Sequence, residues 1–450
     1  MTERLGPDHL GRVAEAALDL PGADDVEVLL MHEWGGLTRF AESAIHQSTA
    51  KENTGIKVRA VSGGRVGVTS TNDLSQEGAR EAAKSALELA RVAAPDPLFP
   101  GLAPPEDIPQ RKEAFDEVTA ALTPEARAEG VATLVATCGD GLHAAGAFET
   151  IATEVALRNS LGQSCYGAVT QAQITTVVSG GEGGAGFAEL TEPRADAIDP
   201  EAIGRRAAAK ARDSQRPVDL EPGTYAVVLE PAATATLMEF LAYLGFGGRA
   251  IVEGRSCFSG RIGEKLMSDR VSIADDALSP LTIGLPFDFE GTPKRRVDLV
   301  EQGVVRGGVH DRRSAGQEGV ESTGHALPPP NPMGPFPLNL SMEPGDASID
   351  DMVSATERGL LITRFHYSNV VHPKEAVITG MTRDGTWLIE DGQVRRPVKN
   401  FRFTQSIIEA LRDVEGVGRD TVLASEFFFA AARVPALRIS RFQFTGKSDH

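Results

Sequence analysis

Hydrolysis at a metal centre needs three or four ligands drawn from His, Cys and carboxylate, set close together, with a base beside the bound water. The chain offers nine histidines and three cysteines. Four of the histidines, His310, His325, His366 and His372, fall close together in the second half, but no two stand at helical i, i+4 spacing. His366 and His372, in HYSNVVH, share one face of a strand-like run yet lie roughly 20 Å apart along it. His32-Glu33 begins like HExxH, but position 36 is glycine, so His32 reads as a strand-end or loop histidine. In TLMEFLAYLGFGG, residues 236 to 248, a helix carries Glu239 beside Met238 and stops at a glycine cluster. A general base there has no proton to take without a metal or nucleophile nearby, so Glu239 reads most simply as solvent-facing or hydrogen-bonded. Cys138, Cys165 and Cys257 are widely spaced with no CxxC, as expected of small buried hydrophobes in a reducing compartment. SGGEGGAG lacks the lysine and hydroxyl of a phosphate loop and reads as a hairpin.

The elements that would position these groups fall into two halves. VRAVSGGRVGVTSTNDLSQEGAREAAKSALELARVA predicts a strand, a Gly63-Gly64 turn, a second strand and a helix with Ala79, Ala82, Ala83, Ala86, Leu87 and Ala90 on its apolar face. The order returns at TTVVSGGEGGAGFAELTEPRADAIDPEAIGRRAAAKARDS, with the same VSGG at Val178 to Gly181, Asp199 as N-cap and Pro200 in the first helical position. This predicts an α+β fold: duplicated strand-hairpin-helix units over 1–217 (subregions 1–93 and 111–217, with a proline-rich linker 94–110), then a mainly antiparallel β domain over 218–450. Asp384-Gly385 and Asp391-Gly392 read as hairpin turns, and helices are expected at Thr234 to Leu244 and Gln405 to Asp413. The proline-rich stretch after Glu321 cannot be helix or central strand and predicts an ordered lid or groove wall.

A hydrophobic share of 41% and a charged share of 24% describe a globular protein. The net charge of −18 repels nucleic-acid phosphates and anionic lipid. No stretch reaches membrane-helix length and the start has no signal-peptide core, which predicts a cytoplasmic protein.

Five separated motifs, IHQSTAKENTGIKVRAVSGGRVGVTSTNDLS, FSGRIGE (Phe258 to Glu264), DD (Asp275-Asp276), DFEGTP (Asp288 to Pro293) and STG (Ser322 to Gly324), resemble in order and spacing the TldD/PmbA family, historically called modulators of DNA gyrase. The late VKNFRFTQSIIEALRDVEGVGRD resembles its flanking region, so the likeness covers nearly the whole chain. The resemblance implies a heterodimeric zinc peptidase whose TldD-type subunit carries HExxxH on a helix and a later cysteine. Two histidines five apart stand about 140° apart on an ideal helix, so that helix must bulge or end to aim both at one ion. Here the motif falls on Met238-Glu239-Phe240-Leu241-Ala242-Tyr243: both ligand positions, Met238 and Tyr243, are degenerate, Glu239 alone survives as a vestigial general-base position, and no cysteine follows Cys257. Where the catalytic subunit has its cysteine loop, this chain reads VLASEFFFAAARVPALRIS. The resemblance thus implies a non-catalytic PmbA/TldE-type subunit with no metal of its own, zinc in a TldD-type partner, an unfolded peptide held as an added strand, and peptide maturation or proteolysis as the role. A homodimer is conceivable without the partner, and Arg255, Arg261 and Glu264 are candidates to line the peptide groove, against a competing reading as surface ion pairs. Two alternatives stand beside it: a self-sufficient metal hydrolase built from the four late histidines, and a gyrase- or DNA-modulating interaction protein, which the net charge disfavours.

Overall fold

The computed structural model describes residues 4–424 and 431–448. Its first half contains α1 (Gly6–Glu15), β1 (Asp25–Ala41), β2 (Ala44–Ser62), β3 (Arg65–Thr71), α2 (Gln76–Val92), α3 (Glu117–Ala120), α4 (Pro124–Ala136), β4 (Leu142–Asn159), β5 (Ser164–Gly180), β6 (Ala185–Glu192) and α5 (Pro200–Asp213). The six strands pair antiparallel in the order β3-β2-β1-β4-β5-β6, with the two repeats meeting back to back at β1 and β4. Each repeat is two long strands, a short strand and a helix. The two VSGG copies occupy the same place in each, leading into the turn before the short strand.

A glycine on the short strand of each repeat lets the helix approach its sheet closely. A Cβ at Gly67 on β3 would stand 2.0 Å from the Ala86 carbonyl of α2, and a Cβ at Gly186 on β6 would stand 2.1 Å from the Ala207 carbonyl of α5. Small residues on the helices complete the fit: Ala79, Ala82, Ala83, Ala86, Leu87 and Ala90 of α2 are the buried face that periodicity predicts. Asp199 caps α5 by accepting from the Ala202 N–H, with Pro200 in the first turn. Replacing Gly67 or Gly186 by alanine is expected to cost about 1–3 kcal/mol each, since a methyl there must push a helix off its sheet. Chemical denaturation checks this against Gly55→Ala on β2, where no atom lies within 4 Å of the added methyl and little change is expected.

The second half contains β7 (Thr224–Leu229), α6 (Pro231–Leu241), α7 (Gly248–Val252), β8 (Ile273–Asp275), β9 (Val297–Glu301), β10 (Val304–Val305), α8 (Arg312–Glu318), β11 (Leu340–Met342), α9 (Ile349–Ser354), β12 (Arg358–His372), β13 (Val377–Glu390), β14 (Gln393–Pro397), β15 (Phe401–Ser406), α10 (Ile407–Arg412), β16 (Val414–Ala424) and β17 (Ala432–Lys447). β12, β13, β15, β17 and β7 pair in a closed ring, antiparallel except for β7 beside β12. Phe365 of β12 meets Phe403 of β15 and Phe442 of β17 across the ring, with ring centroids 4.5 to 5.5 Å apart, so the three fill the barrel interior. The helix α6 packs on β12 and β17.

Three local expectations change. Asp391-Gly392 is a hairpin turn, joining β13 to β14, but Asp384-Gly385 lies inside β13, where both residues oppose Thr363 alone as a bulge. The carboxylate of Asp384 accepts from Arg364 at 2.5 and 2.8 Å, which fixes the bulge instead of a chain reversal. The second half holds more helices than the two predicted, because short segments are capped locally: Asp311 caps α8, and Ser348 with Asp351 forms a capping box on α9. The stretch after Glu321 is ordered, with Phe336, Leu340 and Met342 in the core. Residues 94–110 also pack closely, burying Leu102 and Ala103. Just beyond them Arg111 donates to the carbonyls of Ala277, Ser279, Thr282 and Gly284.

Candidate functional site

The helix α6 begins with Pro231 in its first turn and buries every residue from Ala232 to Leu241. At Ala242–Phe246 it widens into a single π turn before Gly247 and Gly248 end it. A π turn is the kind of bulge that re-aims residues five apart. Here it does not bring positions 238 and 243 to one environment: Met238 is fully buried in the barrel-side core, whereas Tyr243 is 47% exposed. Glu239 is 3% exposed, so the solvent-facing reading is wrong. The helix packs on β12 and β17, which buries that level. A thioether and a phenol are poor zinc ligands, and among the described residues no three His, Cys, Asp or Glu side chains are grouped to hold an ion. The residues present do not fit the family's zinc. The expected counterpart of the cysteine loop lies partly at 425–430, outside the described residues.

Gly248 leaves room for His310, whose Nδ1 would stand 2.4 Å from a Cβ there. His310 and His325 are buried and share Thr323: its hydroxyl accepts from the His310 N–H at 2.7 Å and lies 2.9 Å from His325 Nδ1. His366 and His372 sit apart from them on β12, half-buried and exposed. Of the groove candidates, Arg255 bonds Glu253 at 2.5 to 2.8 Å and Arg261 bonds Glu264 at 3.3 Å, all at the surface. These contacts are the surface ion pairs that competed with a peptide-gripping role. Cys257 is buried and its thiol is pushed up to about 12 by burial, so it is not a ready nucleophile.

The motifs at 275–276, 288–293 and 322–324 converge on a buried polar network at the junction of the two halves. Asp275 accepts from His325 Nε2 at 2.8 Å and from the Asn339 N–H at 2.7 Å. Burial pushes the Asp275 carboxyl up, but His325, Lys294 and Asn339 outweigh it and leave it below its ordinary value. Burial likewise lowers His325, so a neutral imidazole donates to an ionised carboxylate. Asp288 ties a tight turn, accepting from the N–H groups of Glu290 and Thr292 at 2.9 Å each and of Ala326 at 2.9 Å. Glu290 accepts from the Arg312 N–H and lies 3.8 Å from Arg59 of β2, which in turn lies 3.4 Å from Glu27 of β1. The Lys57 ammonium donates to the Pro329 carbonyl, and Arg313 pairs with Asp96. The motifs therefore hold the barrel half onto the N-terminal sheet.

A further cluster escaped the sequence reading. His32 lies in the middle of β1, not at a strand end, and is fully buried, stacked on Trp34 at 4.6 Å. Its Nδ1 is 3.2 Å from Glu154, which also accepts from the Tyr166 hydroxyl at 2.6 Å and from the Leu5 and Gly6 N–H groups. The alternation of apolar and polar residues along β1 was the available signal, since His32 falls on the same face as Leu30 and Trp34.

A long antiparallel hairpin sheet of two repeats beside an aromatic-filled barrel is the architecture of a known structure, TldE from Thermococcus kodakarensis, which superimposes with a TM-score of 0.87 over 98% of this chain and 99% of that one at 20% identity. Residues 222–446 match the profile of the PmbA/TldA metallopeptidase C-terminal domain, and residues 26–90 that of PmbA/TldA metallopeptidase domain 1. The chain belongs to the PmbA/TldD metallopeptidase family. It is 29% identical over 251 residues to a protein named Metalloprotease from Methanothermobacter thermautotrophicus, a match covering 54% of this chain and 53% of that protein. It is 23% identical over 391 residues to Metalloprotease PmbA of Escherichia coli O157:H7, covering 84% and 83%. The chain thus spans about half the length of the archaeal relative.

Proposed function

We propose that this chain is the non-catalytic, TldE-type subunit of a heterodimeric metallopeptidase, enclosing unfolded peptides for a zinc-bearing TldD-type partner. The observation that carries this reading is the state of the family's ligand positions: Met238 faces the core, Tyr243 faces outward, and neither side chain is a competent zinc ligand. Strand addition of a peptide is supported by β2, whose residues 44–53 are exposed and pair with β1 on one side, while β3 begins to cover the other side only at Ile56. An edge of this kind offers main-chain donors and acceptors that ignore sequence.

Co-purification with an HExxxH family member, followed by cleavage of an unstructured peptide, tests the reading. Neither chain alone is expected to approach the rate of the pair, and Glu239→Gln in this chain is expected to leave that rate within about twofold, because the general base belongs to the partner. A loss of roughly a hundredfold on Glu239→Gln, the size of a missing general base, would refute it.

A further inference from the structure

The second repeat leaves half of β5 without a partner strand. β6 pairs with β5 only over Ala172 to Ser179, so residues 164–170 form an open edge. The turns at either end fix which way its main chain points. The Asn159 N–H donates to the Gln163 carbonyl, and the Gly180 N–H to the Gly184 carbonyl. Odd-numbered residues of β5 therefore bond β4, and even-numbered ones point away from it. Tyr166 and Ala168 turn their N–H and C=O groups to the open side, where nothing among the described residues bonds them.

This edge faces a second stretch of chain. Residues 106–116 run along it in the same direction, tied at both ends: the Glu106 N–H donates to Gln163 Oε1 at 3.2 Å, and the Asp116 N–H to Thr170 Oγ1 at 3.0 Å. Between these ties no main-chain bond joins the segment to β5. The gap is a cavity of about 500 Å³, with Ser164, Tyr166 and Ala168 on one wall, Ile108 and Gln110 on the other, and Pro286 beside them. The cations around it are engaged, Arg111 by four carbonyls and Arg4 by Glu117 at 3.2 Å. The acids Glu106 and Asp107 are exposed. What the slot offers a ligand is main chain.

We propose that this slot binds a short extended peptide, added to β5 as an edge strand. The unmet groups recur at every second residue, roughly 6.6 Å apart, with one donor and one acceptor each. Another extended main chain repeats both at that spacing, and a compact small molecule does not. Residues 164–168 span roughly 13 Å, which sets the bound length at about four residues. The site goes beyond the subunit reading, which places strand addition at β2, and it depends on neither a partner nor the zinc positions.

Calorimetric titration of the isolated full chain with acetyl-tetraalanine amide, and with the same peptide N-methylated at every amide, tests the slot. The unmodified peptide is expected to bind at least about tenfold more tightly. Ala168→Pro removes one N–H from an edge where proline is tolerated, and is expected to weaken binding about fivefold or more. Ser164→Trp, at the exposed mouth, is expected to weaken it at least about tenfold by filling the cavity, while Ala50→Pro on the open edge of β2 changes it by less than about twofold. Should Ala168→Pro fail to fold, Ser164→Trp carries the test, because that side chain is exposed. Equal binding of the two peptides, no binding of either at up to about 10 mM, affinity untouched by Ser164→Trp, or loss through Ala50→Pro instead would overturn the proposal. A concentration-dependent dimer that Ser164→Trp abolishes, without peptide binding, would assign the edge to a second copy of the chain and overturn it as well.

Discussion

His325→Ala is expected to destabilise the chain by about 3–5 kcal/mol, among the largest single-residue effects in the molecule. Both members of the Asp275–His325 pair are completely buried, and the pair is bonded at 2.8 Å. Removing the imidazole leaves an ionised carboxylate in the interior with only the Asn339 N–H at bonding distance and the Lys294 ammonium in the neighbourhood. The cost follows because the buried carboxylate loses a hydrogen-bond donor and the deleted ring leaves a cavity. The loss should spread beyond the pair. His325 also meets the Thr323 hydroxyl, which accepts from the His310 N–H, and Lys294 reaches the Asn339 side chain. Asp275→Asn is expected to cost less, because an amide oxygen still accepts from His325 and the buried Lys294 keeps Asp288 nearby and its bond to Asn339. Urea denaturation of both variants checks the order. A cost below about 1 kcal/mol for His325→Ala would mean that water or a rearranged Lys294 replaces the imidazole.

The second large effect is a pH dependence that Glu27→Gln should remove. Glu27 sits inside the N-terminal sheet with neither carboxylate oxygen hydrogen-bonded, and burial raises its pKa from 4.5 to about 7. Arg59 and Arg312 pull the value down while Glu290 pushes it up, and burial wins. In the unfolded chain the group ionises near 4.5, so between there and about 7 the folded state holds a proton that the unfolded state has released. This group's contribution is therefore most favourable below about 4.5, declines as pH rises through 7, and then levels off. The shift corresponds to about 3 kcal/mol at most. Glutamine carries no charge at any pH, so Glu27→Gln is expected to stabilise the chain by about 1–3 kcal/mol at pH 8 and to change it little at pH 4.5. Melting temperatures of the two proteins across that range provide the check. Parallel curves would show that Glu27 is ionised in the fold and fully compensated by Arg59.

What could be read from the sequence depended on how local the cause was. The α2 face and the Asp199 cap follow from spacing within one helix, and both are present as expected. The repeat was visible because VSGG and the helix that follows recur in the same order. The burial of Glu239 was not, because a run of apolar residues on every side marks a buried helix only when both covering layers are known. Asp384-Gly385 carried the signal of a turn, but Arg364, twenty positions earlier, turned it into a bulge. The network of Asp275, Asp288, Glu290, Thr323 and His325 joins loops to one another and to Arg59 on a distant strand. Its members were visible only as motifs, and their structural role emerges from burial. The same holds for the barrel, whose closure depends on β15 reaching both β13 and β17. At the family's metal positions the residue types themselves, a thioether and a phenol, are poor zinc ligands whatever the backbone does.

Metal content of the isolated chain, by elemental analysis after exhaustive dialysis, tests the subunit assignment most directly. The assignment predicts close to zero zinc per chain, with zinc recovered only when an HExxxH partner is present. About one tightly held zinc per isolated chain would contradict it and would turn attention to His310, His325, His366 and His372.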